Sequence, residues 1–80
     1  MYTISLRQKL TNGKYHWQIK GRIMAKGGSL ACCDYEARNR GITTEQYILD
    51  MAKGWNDYFK CCGVRVTKDG SVIFEQTQEE

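Results

Sequence analysis

Polar and apolar residues alternate over "YTISLRQ": Tyr2, Ile4 and Leu6 fall on one face and Thr3, Ser5 and Arg7 on the other. That period of two is the signature of a half-buried strand. Asn12-Gly13 follows, a strong hairpin signal because both residues tolerate positive φ. "KYHWQIKGRI" then alternates again, which predicts Tyr15, Trp17, Ile19 and Ile23 on the core side and His16, Gln18, Lys20 and Arg22 on the solvent side. "AKGGS" marks a second turn. The next run, "LACCDYEA", is open between a third strand and a short helix capped by Ser29. The strand is favoured because it completes a meander, and two strands alone are marginal in water.

After "RNRG" the period changes. Thr43-Thr44-Glu45-Gln46 reads as a capping box, in which a threonine oxygen accepts from a free amide and Gln46 reaches back. Tyr47, Ile48, Met51, Ala52, Trp55, Phe59 and Cys62 recur at spacings of three and four, an apolar stripe on one long helix. Gly63 is expected to end that helix in the left-handed conformation. "VRVTKDGSVIFE" places Asp69-Gly70 between two alternating runs, a closing hairpin, and residues 76–80 are expected to fray. The pattern predicts a single α+β domain over residues 1–80. Its antiparallel sheet, a three-stranded meander plus a C-terminal hairpin, packs on one long amphipathic helix.

Charge adds a direction. Residues 1–40 carry eight Lys or Arg against Asp34 and Glu36, whereas residues 41–80 carry four against seven acids. The net charge of +3 therefore conceals a polar chain whose first half suits an anionic partner. No apolar run approaches the roughly 18 residues of a membrane span, and "MYTISLRQKL" lacks the apolar core of a signal peptide. The expectation is a cytoplasmic protein with no membrane association, inside the host cell if phage-encoded.

Composition draws the eye to Cys32-Cys33 and Cys61-Cys62. Adjacent residues point apart in a strand and lie about 100° apart on a helix, so neither pair converges easily on one ion, and a reducing compartment disfavours disulfides. The expected role is packing, with one cysteine of each pair in the core, Cys62 among them, and its neighbour near the surface. No metal or cofactor is expected. The single histidine, His16, sits on a predicted strand flanked by Tyr15 and Trp17, with no nucleophile–base–orienter set around it. The chain is expected to bind rather than catalyse. Candidate contacts are the basic residues Arg7, Lys9, Lys14, His16, Lys20, Arg22 and Lys26, facing nucleic-acid phosphates or an acidic protein surface. Tyr58, off the helix stripe, is a candidate interface anchor.

With its meander "YTISLRQ", "KYHWQIKGRI", "LACCDYEA", helix "TTEQYILDMAKGWNDYFK" and hairpin "VRVTKDGSVIF", the chain resembles small phage-encoded anti-CRISPR proteins in size and element order. The resemblance covers most of the chain and rests on no diagnostic motif. It implies a phage or mobile-element accessory protein, monomeric or weakly dimeric. Such a protein inhibits a host protein or ribonucleoprotein complex, concretely a CRISPR effector, by occupying its surface. Similar layouts occur in nucleic-acid-binding domains, including the arm-binding domains of phage integrases. A small DNA- or RNA-binding protein using the basic hairpin face is thus the alternative.

Overall fold

The computed structural model describes residues 1–78. The strands are β1 (Tyr2–Lys9), β2 (Tyr15–Ile23), β3 (Gly63–Lys68) and β4 (Ser71–Thr77), and the helices α1 (Ser29–Arg40) and α2 (Thr44–Tyr58). All four strands are antiparallel in one sheet of order β2-β1-β3-β4. The fold is α+β as expected, but there is no meander. Residues 29–40 are helical, and β3 rather than a third consecutive strand pairs with β1.

Both predicted hairpins form, by different turn chemistry. Asp69 and Gly70 have φ of 51° and 87°, the two-residue turn with both centres left-handed. At Asn12-Gly13 only Gly13 is left-handed (φ 84°). There the Leu10 and Gly13 amides donate to the Lys14 and Leu10 carbonyls, and Asn12 Oδ1 accepts from the Lys14 amide at 3.0 Å. This is a three-residue loop closed by a glycine.

The first helix escapes a periodicity argument because it buries only Cys33 and Ala37, with Leu30 partly covered. Its ends carry the information instead. Left-handed glycines flank it: Gly28 before, and Gly41 after, whose amide donates to the Ala37 and Arg38 carbonyls. Ser29 is not a cap. Its hydroxyl accepts from the Met24 amide and donates to the Met24 carbonyl, closing the loop behind the helix. Asp34 accepts a hydrogen bond from Thr44, tying α1 to the first turn of α2.

The second helix begins as predicted, with the Thr43 hydroxyl accepting from the Gln46 amide at 3.1 Å. The Gln46 side chain does not reach back; it donates to Asp50 one turn on. Ile48, Ala52 and Asn56 form the buried line, flanked by Tyr47, Met51 and Trp55. The helix stops at Tyr58, so Phe59 and Cys62 lie outside it. Lys60, not Gly63, takes the left-handed conformation (φ 54°). Buried Asn56 then organises the exit: its carbonyl accepts from the Cys61 amide and its Oδ1 from the Gly63 amide at 3.2 Å. The Cys62 amide donates to the Arg7 carbonyl, which delivers β3 to the free side of β1.

The core lies between the helices and one face of the sheet. Tyr2, Ile4 and Leu6 from β1 and Val64 and Val66 from β3 meet Cys33, Ile48, Ala52 and Cys61, with Ile4, Leu6, Ile48, Val64 and Val66 wholly excluded from solvent. All four cysteines are free thiols. Cys32 is exposed and Cys33 buried, the expected split, but Cys61 and Cys62 are both buried. Burial, reinforced by Cys32 and Asp34, pushes the Cys33 thiol above its ordinary pKa. The ladder continues through Thr77 into the stretch expected to fray, and the Gln78 amide donates to the Cys62 carbonyl; residues 79 and 80 lie outside the described residues. No helix among the described residues is long and apolar enough to cross a membrane.

Candidate functional site

A single extra residue decides which side chains face solvent. Ile4 pairs with Gly21 and Ser5 with Ile19, so Lys20 is a bulge with no partner of its own on β1. A one-residue offset exchanges the faces of everything beyond it. Ile23 and Gly21 therefore stand on the helix side with Gln18 and His16, whereas Tyr15, Trp17 and Ile19 stand on the opposite side with Arg22. The predicted core placement holds for Ile23, which is buried, and fails for Tyr15, Trp17 and Ile19.

Glycine at position 21 has a steric reason. A Cβ there would lie 2.9 Å from Cη2 of Trp55, whose ring packs directly on the strand. A glycine inside an alternating strand is the sequence signal for such a bulge or close approach, and it sits in plain view in "IKGRI".

The far face of the sheet is covered by no element among the described residues. Cross-strand register gathers on it Tyr15, Trp17, Ile19 and Arg22 from β2, and Thr3, Ser5, Arg7 and Lys9 from β1. The second half of the chain adds Arg65 and Thr67 from β3 and Val72 and Glu75 from β4. Four cations thus share the face with one carboxylate and two aromatic rings. Tyr15 is 39% exposed, Ile19 48% and Val72 57%.

The rings are held under guanidinium groups. The Arg7 guanidinium carbon lies 4.0 Å from the Tyr15 ring centroid, and that of Arg65 lies 4.0 Å from Trp17. Arg65 Nε is also paired to Glu75 Oε1 at 2.5 Å, so Glu75, Arg65 and Trp17 form a row running from β4 to β2. Arg7 is a tether as much as a surface charge. Its Nη2 donates to the carbonyls of Cys62 (3.1 Å) and Gln78 (2.9 Å), joining the ends of β3 and β4. It can cross β3 because Gly63 offers no side chain; a Cβ there would come within 3.1 Å of Arg7 Cβ. Gly63 serves close approach in a strand, not helix termination.

The expected basic surface is therefore divided. Arg7, Lys9 and Arg22 share the open face. Lys20 turns to the helix side, with Nζ 5.3 Å from the Phe59 ring. His16 is exposed on that same side, opposite Gln8. Lys14 and Lys26 lie in the loops beyond opposite ends of β2. Tyr58 is exposed at the end of α2, edge-on to Phe59. Sequence reasoning missed Arg65, because it lies in the acidic half, and the open-face rings, because strict alternation carried them across the bulge. Among the described residues no three His, Cys, Asp or Glu side chains cluster as metal ligands do. Comparison with known proteins finds no matching family model, no matching curated protein and no matching solved structure.

Proposed function

We propose that the protein is a non-catalytic nucleic-acid-binding module that takes an unpaired strand on the open face of its sheet. The observation that carries this reading is the clustering of Tyr15, Trp17 and Ile19 with Arg7, Lys9, Arg22 and Arg65 on a face that no helix among the described residues covers. Flat apolar rings between fixed cations are what a single strand requires: bases stack on the rings and phosphates meet the cations. Alternate residues of β2 stand roughly 6.8 Å apart, so Tyr15, Trp17 and Ile19 offer successive contacts along a strand.

Fluorescence polarisation with a labelled oligonucleotide tests it. Affinity should fall with salt, at a log–log slope of roughly −0.7 for each phosphate neutralised, and Trp17→Ala should cost about 1–3 kcal/mol of binding. A protein that ignores free oligonucleotides at low salt would sink the reading.

One observation favours a second reading. The guanidinium groups of Arg7 and Arg65 are already committed, to backbone carbonyls and to Glu75, and both lie over the rings that a base would need. Preorganised Trp, Tyr and Arg side chains are also the composition of protein–protein hot spots. On this reading the same face docks on an acidic surface of a host nucleoprotein complex and inhibits it, as the resemblance to anti-CRISPR proteins implies. Copurification with such a complex, together with indifference to free nucleic acid, is the outcome that selects it.

A further inference from the structure

On the other side of the sheet, beside the bulge, lies an open groove of about 520 Å³ lined by Lys20, Trp55, Tyr58 and Phe59. Its volume falls within the range of about 300–1,000 Å³ usual for small-molecule sites. Three features of the chain build it. The bulge turns Lys20 to the helix side, Gly21 lets the Trp55 ring settle on β2, and the end of α2 leaves Tyr58 and Phe59 uncovered at 78% and 47% exposure. None of these residues belongs to the open face.

The walls define an occupant. The Tyr58 and Phe59 rings stand at 89° with centroids 5.0 Å apart, a corner that presents one ring's face and the other's edge. The edge of one ring already rests on the face of the other, so a planar ligand stacks on a ring face that the pair leaves open. Among the described residues the one charged wall is cationic, with Lys20 Nζ 5.3 Å from the centre of the Phe59 ring. A flat heterocycle with an anionic group one sugar away satisfies both the rings and the cation. We propose that this groove is a nucleotide subsite in which an unpaired base stacks against Tyr58 and Trp55 while its phosphate pairs with Lys20.

The groove borders β2, an edge strand whose other side carries Tyr15, Trp17 and Ile19. A strand crossing the open face can turn over that edge and place its next base in the groove. The inference rests on the nucleic-acid reading only for the source of the nucleotide.

Titration with uridine 5′-monophosphate tests the subsite directly. Trp17→Phe leaves Trp55 as the single tryptophan, so its fluorescence reports the groove. Saturable quenching is expected, weakened roughly tenfold by Tyr58→Ala, whose side chain is exposed enough to leave folding intact. Lys20→Met, or uridine lacking the phosphate, should weaken it by a similar factor. Quenching absent at millimolar nucleotide, or equal for uridine and its monophosphate, overturns the proposal. A parallel titration with a short oligonucleotide separates the two readings. If the oligonucleotide binds wild-type protein but the mononucleotide does not, the groove falls and the open face stands. If the mononucleotide binds and the oligonucleotide does not, the groove stands and the open-face reading falls.

Discussion

The two faces of the sheet are made by the same strands and solve different problems. On the helix side Ile4, Leu6, Val64 and Val66 are compact, aliphatic and completely dry. On the open side Arg7 lies over Tyr15 and Arg65 over Trp17, long side chains laid flat with apolar bodies and charged ends. The first arrangement suits an interior where close packing stabilises and any polar atom costs. The second keeps charged ends in water while their stems cover apolar ring surface. The contrast teaches that neighbouring residues of one strand meet different environments. On the proposed reading the open side adds contacts with a nucleic-acid strand to a sheet whose stability comes from the helix side. Leu6 fills the core, whereas its neighbour Arg7 ties the ends of β3 and β4 together from the open side.

Breaking the dry face should produce the largest effect. Leu6→Ala is expected to destabilise by about 2–5 kcal/mol, a large part of the roughly 4–12 kcal/mol typical of a domain this size. Urea denaturation followed by far-ultraviolet circular dichroism measures it, and a loss under 1 kcal/mol would mean that the sheet and helices do not share one core.

Gly21, where the faces exchange residues, comes next. Gly21→Val places branched carbons where the Trp55 ring rests and should cost about 1–3 kcal/mol through overpacking. A shift in Trp55 emission should accompany the loss; an unchanged spectrum would show that the ring does not lie on the strand.

Trp17→Ala sharpens the comparison from the other side. Its stability cost should be about 0.5 kcal/mol, mostly the lost contact with Arg65, set against the roughly 1–3 kcal/mol lost from oligonucleotide binding. Equal losses in folding and binding would erase the division of labour.

The smallest effect belongs to the β3–β4 turn, where the Met1 ammonium donates to Asp69 Oδ1 at 2.7 Å. That hydrogen bond, with the charge of the ammonium behind it, holds the Asp69 carboxyl below its ordinary range. A depressed carboxylate pKa contributes stability that is present above the unfolded value of about 3.9 and lost as pH falls through the folded one. Acid titration of wild type against Asp69→Asn should therefore show a small difference at neutral pH that disappears in acid. A gap that widens on acidification would reverse the sign.

Some of this was legible residue by residue. Tyr2, Ile4 and Leu6 announce a half-buried strand, Thr43 announces a helix start, and Asp69-Gly70 announces a tight turn; each forms, although Gln46 turns to Asp50 instead of completing the capping box. Arg7, Lys9 and Arg22 were legible as surface cations. Tyr15 and Trp17 were legible as strand residues and assigned to the wrong side. The helix over Ser29–Arg40 was hidden because Cys33 and Ala37 alone make too thin a stripe, although Gly41 after two terminal arginines was an available stop signal.

The chain by itself determined the features set by contacts within a few residues: alternation, capping and turn conformation need only near neighbours. Tertiary structure decided the rest. Pairing of β1 with β3 on one edge and β2 on the other fixed the strand order. Trp55, more than thirty residues away in the chain, rests on Gly21 beside the Lys20 bulge, and that bulge alone turned Trp17 outward. A strand's period is local, but its phase is set by whatever it packs against.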